Sequence, residues 1–130
     1  MKMIRDMDLI RTIVLTIREH EGRPSASEVQ SLIGKVDDGV FGYHIELLTQ
    51  GVMVTSIDTG PRKDRYGRTN LALTWVGHDF ADNIVNDGVW ASARKTLDDA
   101  ELKSASLEVW SQMAVAKITE LCGDASNQHV

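Results

Sequence analysis

The chain has 130 residues, of which 42% are hydrophobic and 25% charged, and this suits one soluble globular domain with a real core. A net charge of −5 and a pI near 5.3 weigh against holding nucleic acid by bulk charge, because phosphates must be met by Lys and Arg. The single cysteine excludes an intrachain disulfide, and the charged start lacks the apolar core of a signal peptide. With no apolar run of membrane-spanning length, the sequence predicts a cytoplasmic protein without a membrane partner.

The first helix is predicted between two clear signals. Asp6 is a plausible N-cap, and the helix should end near His20, before a glycine and a proline. Its apolar residues recur at helical spacing and should face the core. They are Ile10, Ile13, Val14 and Ile17.

A second helix and the start of a third follow closely. Ser25 and Glu28 form a capping box that opens a short helix through Ile33. Gly34 suits the position after its end, and Asp37 is the next N-cap candidate. Two helices joined by so short a turn predict a helix-turn-helix unit.

The third helix has two contrasting faces. One arc is apolar and predicted to be buried, with His44 at its edge. Its members are Phe41, Ile45, Leu48 and Val52. The opposite arc should be exposed and consists of Gly39, Tyr43, Glu46 and Gln50. It contains no Lys or Arg.

Two predicted strands enclose a basic loop. The strands are residues 52–57 and 70–75, and the loop between them has the length and Gly/Pro content of a wing. Residues 59–70 carry four Lys or Arg and one Asp, a charge of +3, whereas residues 24–58 carry one Lys and five acids, a charge of −4. The sequence therefore predicts a basic hairpin on an acidic body. The fold class is mainly α (α+β): a winged helix-turn-helix with a two-stranded wing and additional C-terminal helices.

Further helices are predicted after Thr74, an N-cap candidate. Their apolar stripes are Val76, Phe80 and Ile84; then Val89, Trp90, Ala93 and Leu97, in a helix that could reach Leu102; and, after a cap at Ser106, Leu107, Trp110, Ala114, Ile118 and Leu121. Gly123 should end the last helix. The predicted domains are a winged helix-turn-helix over 1–88, C-terminal helices packed on it over 89–122, and a disordered tail over 123–130.

Three tryptophans are predicted to lie in the core: Trp75, Trp90 and Trp110. Trp75 lies with Leu71 and Leu73 on the apolar side of the returning strand, where these residues alternate with polar or small ones as in a half-buried strand. On the last helix, Val109 and Ala116 form a small outward apolar strip. Winged helices with appended helices pair through such surfaces, so the sequence predicts a homodimer.

Several motifs resemble a family of small phage and prophage proteins catalogued as a domain of unknown function. In chain order they are Arg5-Asp6-Met7-Asp8-Leu9-Ile10-Arg11, Tyr43-His44-Ile45 with Leu47-Leu48, Leu73-Thr74-Trp75-Val76-Gly77-His78-Asp79-Phe80, Trp90, and Ser106-Leu107-Glu108-Val109. The resemblance covers nearly the whole chain. It implies a winged-helix fold with C-terminal helices and a phage or prophage setting, and it carries over no catalytic residue.

The wing residues are the best functional signal in the sequence. They are Arg62, Lys63, Arg65, Tyr66 and Arg68. They fit either a solvated loop tip or a phosphate contact in which Tyr66 stacks on, or bonds to, the nucleic-acid backbone. The predicted DNA-binding residues of the wing are these five.

The exposed face of the third helix does not favour DNA binding. Direct readout of bases usually uses Arg, Lys, Asn or Gln, and only Gln50 qualifies here. Glu46 would face phosphates unfavourably, whereas Tyr43 beside Gly39 is suited to a protein interface. This face is therefore predicted to bind either DNA or a protein partner.

No chemistry of catalysis stands out in the sequence. The four histidines show no metal-ligand spacing, and no nucleophile motif or phosphate loop is present. The sequence predicts no enzyme, no metal, no cofactor and no small-molecule substrate. Its first functional interpretation is a phage-type winged-helix regulator that binds duplex DNA, and its second is an acidic module that docks on a host or phage protein and inhibits it.

Overall fold

The computed structural model describes residues 4–60, 62–99 and 107–127. Within these ranges the chain forms six helices and one two-stranded antiparallel sheet, so it is mainly helical. The helices are α1 (Met7–Glu19), α2 (Ala26–Ile33), α3 (Asp38–Gln50), α4 (Trp75–Ile84), α5 (Asp87–Asp99) and α6 (Leu107–Asn127), and the strands are β1 (Val54–Asp58) and β2 (Arg68–Leu73). No helix in the described ranges is both long enough and apolar enough to cross a membrane.

The first three helices begin at the caps that the sequence predicted. Asp6, Ser25 and Asp37 each accept a hydrogen bond from a backbone N–H of the first turn, at 2.9, 3.2 and 3.1 Å. Each such cap satisfies an N–H that the helix itself cannot, and contributes about 1 kcal/mol. The predicted end of α1 near His20 is also confirmed, since His20 is its C-cap.

A buried histidine joins α1 to α3. His44 is fully buried, and its Nε2 accepts the backbone N–H of Asp6 at 2.8 Å. Its Nδ1 lies 2.8 Å from the carbonyl oxygen of Val40, so a neutral ring with the proton on Nδ1 satisfies both contacts. The predicted core positions around it are buried: Ile10, Ile13, Val14 and Ile17 of α1 and Phe41, Ile45 and Leu48 of α3.

At the corner between α3 and β1, the structure differs from the prediction made for Val52. Val52 was placed on the buried arc of the third helix, but it is 63% exposed and has a φ of 59°. The chain reverses at this residue, so Met53 becomes the buried residue and its N–H donates to the carbonyl of Leu48 at 3.0 Å. A helical stripe cannot be extended through a left-handed residue, and this is why the prediction failed.

The sheet has a bulge that sets its register. Val54 pairs with Leu73 and Ile57 with Thr69, so β2 contributes one residue more than β1 between these pairs. Asn70, with a φ of 53°, lies in this irregular stretch. The strands were predicted over 52–57 and 70–75; β1 begins two residues later and ends one residue later than predicted, and β2 begins and ends two residues earlier. The next residue of β2, Leu71, is fully buried and its N–H donates to the carbonyl of Pro24 at 2.8 Å.

The start of α4 contradicts the predicted place of Trp75. The strand ends at Leu73, and Thr74 caps α4 as predicted, its Oγ1 accepting the N–H of Gly77 at 3.0 Å. Gly77 must lack a side chain because a Cβ there would lie 2.1 Å from the carbonyl oxygen of Met53. Trp75 is therefore the first residue of α4 and not part of the strand, and its side chain is 84% exposed. Of the predicted stripe of this helix, Phe80 and Ile84 are buried, whereas Val76 is 54% exposed.

The chain divides into two compact units, Met1–Ala81 and Asp82–Val130, and the division falls inside α4. The sequence placed its domain boundary after residue 88. In the second unit, Trp90 of α5 and Trp110 of α6 stack with ring centroids 4.3 Å apart. The other predicted core residues of α5 are buried: Val89, Ala93 and Leu97.

The last helix also differs from its prediction. It passes through Gly123 and continues to Asn127, although the sequence ended it at Gly123 and predicted a disordered tail from there. A glycine inside a helix costs about 1 kcal/mol, which a long helix can tolerate. Leu121, predicted to be buried, is 58% exposed. The predictions at Leu102 and Ser106, and that for the side chain of Leu107, lie outside the described part of the chain.

Candidate functional site

The basic hairpin is fixed to α2 by one carboxylate. Asp64, in the loop between the strands, is buried and accepts the backbone N–H of Ser27 at 3.0 Å, in the first turn of α2. It also accepts the backbone N–H groups of Tyr66 at 2.9 Å and of Arg68 at 3.4 Å. Burial would raise the pKa of Asp64, but these hydrogen bonds, with that of the Ser27 hydroxyl, outweigh it and hold the pKa below its ordinary value. An ionised Asp64 therefore organises the loop.

The hairpin is fixed to α3 by Tyr66. Its ring packs against Phe41, with centroids 5.2 Å apart, and against Gly42, where an added Cβ would lie 3.1 Å from the ring. Its hydroxyl donates to Oε1 of Gln30 at 2.5 Å and lies 3.3 Å from Oδ1 of Asp38. Burial raises the pKa of the Tyr66 phenol, so it stays a donor at neutral pH. Tyr66 is thus a packing residue between the hairpin and α3.

An exposed ion pair also joins the hairpin to α3. Nη1 of Arg65 lies 3.0 Å from Oδ2 of Asp38, and both side chains are more than half exposed. Asp38 also accepts from Nε2 of Gln30 at 2.7 Å. The Gln30 amide and then Arg65 lower the pKa of the Asp38 carboxyl, so the pair is charged over the physiological range. The cation of Arg65 is therefore engaged within the chain.

Between α3 and the hairpin lies an open groove of about 510 Å³. It is called the α3–hairpin groove below, and it is lined by Asp38, Gly39, Gly42, Tyr43, Ile45 and Glu46 of α3 and by Arg65, Tyr66 and Arg68 of the hairpin. Tyr43 is half-buried and Glu46 exposed. Because Asp64 and Tyr66 hold both walls, the groove has a fixed shape.

The groove brings together only some of the residues predicted as a site. Gly39, Tyr43 and Glu46 share it with Arg65, Tyr66 and Arg68, but three predicted residues do not line it. Gln50 is exposed at the far end of α3, and Arg62 and Lys63 are exposed in the loop. Arg68 is half-buried, with Nη1 3.5 Å from the hydroxyl of Ser56.

Sequence reasoning missed the residues that build the groove. Gln30 and Asp64 were not singled out, and the packing of Gly42 against the hairpin was not predicted. Gln30 and Asp64 each have a partner 36 or 37 residues away along the chain, in the bond from Tyr66 to Gln30 and the bond from Ser27 to Asp64, and Gly42 packs against Tyr66 of the hairpin. The one local signal was an acid placed among four bases in the loop.

Metal binding has no support from side-chain clusters in the described ranges, where no three His, Cys, Asp or Glu residues lie close enough together to hold an ion. Both ring nitrogens of His44 are engaged in hydrogen bonds within the fold. The thiol of Cys122 is exposed near the end of α6.

The fold and the groove define a mainly helical α+β protein in which a two-stranded hairpin is held against a helix. The chain belongs to the family described as hypothetical protein (DUF2513), whose model matches residues 4–104. It is similar to an uncharacterised protein of Haemophilus influenzae, with 31% identity over 119 residues that cover 92% of this chain and 98% of the relative. No solved structure matches the chain at a significant level. Membership of a family of unknown function agrees with the resemblance found in the sequence.

Proposed function

We propose that the chain is a winged-helix protein whose α3–hairpin groove docks on another protein. The winged-helix assignment is supported by the order α1, α2, α3, β1, β2 and by the hydrogen bond from Leu71 to Pro24. That bond joins the segment between α1 and α2 to the free side of β2, where a winged helix has its third strand. The resemblance of the sequence motifs to phage and prophage proteins supports a phage or prophage setting, and the proposal includes a non-enzymatic, cytoplasmic role.

The observation that carries the docking proposal is the charge of the groove. Helix α3 contains no Lys or Arg, and its exposed face presents Asp38 and Glu46. Two arginines line the groove: Arg65 is engaged by Asp38 at 3.0 Å, and Arg68 is half-buried with its Nη1 3.5 Å from the hydroxyl of Ser56. A phosphate backbone approaching α3 would therefore meet carboxylates, which is unfavourable for DNA binding.

The same groove suits a basic segment of a protein. Glu46 is exposed and can accept from a Lys or Arg of a partner, and the ring of Tyr43 beside it offers an aromatic face to the same cation. Tyrosine is among the residues enriched at interface cores. Since Tyr66 and Asp64 hold the groove in shape, little conformational freedom is lost on binding.

The test is site-specific crosslinking in the bacterium that naturally carries the gene. A photoreactive phenylalanine analogue replaces Tyr43 in the groove or, as a control, the exposed Lys95 of α5. We expect a covalent protein adduct at position 43 and none at position 95. Glu46→Lys should abolish the adduct, whereas Glu21→Lys, the same charge change at an exposed residue after α1, should leave it intact.

Equal adducts at positions 43 and 95 would contradict the proposal. So would an adduct at position 43 that survives Glu46→Lys, because the groove carboxylate would then contribute nothing to recognition.

Duplex DNA is the second candidate, and one observation favours it. Arg62 and Lys63 are both exposed in the loop of the hairpin, where a wing contacts the nucleic-acid backbone. In this alternative they hold phosphates with Arg68, and α3 lies near the groove of the duplex without reading it. The protein would then act as a regulator that binds weakly.

A further inference from the structure

One carboxylate of the α3–hairpin groove already holds a guanidinium, and that guanidinium belongs to the chain itself. Nη1 of Arg65 lies 3.0 Å from Oδ2 of Asp38, and both residues line the groove. The groove has a second carboxylate, Glu46, which is exposed. The internal pair therefore shows which side-chain chemistry this end of the groove accepts.

The two members of this pair are held in different ways. The Asp38 carboxylate is fixed through its other oxygen, Oδ1, which accepts from Nε2 of Gln30 at 2.7 Å and lies 3.3 Å from the Tyr66 hydroxyl. The Gln30 amide does most to lower the pKa of Asp38, so the carboxylate stays ionised without Arg65. The Arg65 side chain is 60% exposed, and among the described residues its only ion pair is with Asp38. Oδ2 is therefore a preorganised acceptor with a displaceable occupant.

Opening the internal pair leaves the groove in shape. An ion pair between exposed side chains is favoured over its separated form by a factor of only about two to five. The hairpin does not depend on this pair, because Asp64 bonds to the N–H of Ser27 and Tyr66 bonds to Gln30. Arg65 can therefore leave Asp38 while both walls of the groove stay in place.

We propose that Arg65 is an internal substitute for an arginine of the docked protein, and that the partner's guanidinium replaces it on Oδ2 of Asp38. The inference rests on the proposed function, because the arginine belongs to the protein that docks in the groove. It adds the side chain that is recognised and the contact that must open first. Two turns of α3, roughly 12 Å, separate Asp38 from Glu46. The partner segment therefore presents this arginine and a second basic residue at about that spacing.

This role gives Arg65 an effect opposite to that of an ordinary groove residue. A residue that shapes the groove or contacts the partner weakens binding when it is removed. Removal of Arg65 should instead strengthen the binding of an arginine, because the acceptor is then free in every molecule and not only in those with an open pair. A pair closed by a factor of about two to five raises the apparent Kd about three- to sixfold, and this factor is regained when Arg65 is removed.

An NMR titration of the full chain with N-acetyl-arginine amide, at constant ionic strength, tests the proposal. The reporter signals are the backbone amides of Gly39 and Gly42, which line the groove. We expect the apparent Kd of Arg65→Gln to be about three- to sixfold lower than that of the wild type. Arg62→Gln removes the same charge from an exposed residue of the same loop that does not line the groove, and it should bind the probe as the wild type does.

A double variant and a neutral probe show whether the gain comes from the Asp38 carboxylate. In Asp38→Asn/Arg65→Gln the side chain can still accept from Gln30 through its amide oxygen, but the charge is gone. The gain seen in Arg65→Gln should then be lost, and the Kd should return to the wild-type value or rise above it. N-acetyl-citrulline amide has the shape of the arginine probe without its charge, and it should not shift the groove amides of any variant.

An unchanged or higher Kd in Arg65→Gln would overturn the proposal, because Arg65 would then build the groove and not occupy it. An equal gain in Arg62→Gln would also overturn it, since the effect would reduce to net charge. Failure of the proposed function has a different signature, the absence of a crosslinked adduct at Tyr43. The titration does not depend on that adduct, because its probe is a free amino-acid derivative and not the docked protein.

Discussion

One buried carboxylate organises the hairpin that forms half of the groove. Asp64 accepts backbone N–H groups from Ser27, Tyr66 and Arg68, so it does for this loop what a cap does for a helix. Asparagine has the same shape but only one acceptor oxygen, and its amide nitrogen would face a backbone N–H. The contribution of Asp64 therefore depends on its charge as well as its shape.

We expect Asp64→Asn to lower the free energy of unfolding by about 1–3 kcal/mol at pH 7, because a buried N–H loses its acceptor. The pKa of Asp64 is depressed in the folded chain, so its stabilising contribution is present above the unfolded pKa near 3.9 and is lost as the pH falls through the folded value. Thermal unfolding of both proteins from pH 7 down to about pH 3 measures this; their difference should shrink in acid.

The exposed Asp98 supplies the control, and Asp98→Asn should change stability by less than about 0.5 kcal/mol. A difference between wild type and Asp64→Asn that is the same at pH 3 and pH 7 would mean that the charge of Asp64 is not what holds the loop.

At the scale of elements, α3 and the hairpin meet at Gly42, the position where Tyr66 packs against the helix. Gly42 lets the Tyr66 ring approach so closely that an added Cβ would lie 3.1 and 3.2 Å from two ring carbons. Gly42→Ala improves helix propensity by about 1 kcal/mol but forces the ring outward. The helix should therefore remain while its contact with the hairpin loosens.

Hydrogen exchange measures that loosening. In Gly42→Ala we expect faster exchange of the Tyr66 and Arg68 amides, which bond to Asp64, and unchanged exchange in α3. Gly39→Ala gives α3 a comparable gain in propensity at an exposed position and should leave the hairpin amides as they are. Equal exchange in the two variants would show that Gly42 is not needed for the contact.

Sequence reasoning located most elements because their signals are local. The caps at Asp6, Ser25 and Asp37 were predicted because cap and first turn are adjacent along the chain. Val52 and Trp75 were misplaced because an apolar period was continued past the residue at which the backbone changes direction. Periodicity alone does not mark such a change, and the local markers here were Gly51 before Val52 and the cap at Thr74 before Trp75.

The candidate site was less predictable than the fold. The exposed face of α3 followed from its periodicity, but the pairing of Arg65 with Asp38 joins residues 27 apart and leaves no pattern in the sequence. The same holds for the bond between Tyr66 and Gln30. The basic loop therefore suggested a free cationic surface, whereas one of its arginines and its tyrosine are engaged by the chain itself.

On the scale of the whole molecule, the distribution of charge separates the two candidate functions. The chain carries 19 acids and 14 Lys or Arg, and the loop bases Arg62 and Lys63 are exposed on a molecule of net charge −5. We expect no retention of random duplex DNA in gel shifts at about 50 mM salt, where phosphate contacts are strongest.

Retention that falls steeply between about 50 and 200 mM salt would favour the DNA candidate. In that event the double variant Arg62→Ala/Lys63→Ala should reduce the slope of log K against log salt by about 2, one for each phosphate contact. Lys95→Ala, which removes an exposed base from α5, is the matched control and should leave the slope unchanged.

The contrast among the three tryptophans has a practical consequence. Two of them are buried and stacked on each other, while Trp75 is 84% in water. An aqueous quencher such as iodide will therefore extinguish chiefly the fluorescence of Trp75, and shielding of that emission will register anything that covers it. The molecule thus carries its own optical label at one known spot, and no dye has to be attached.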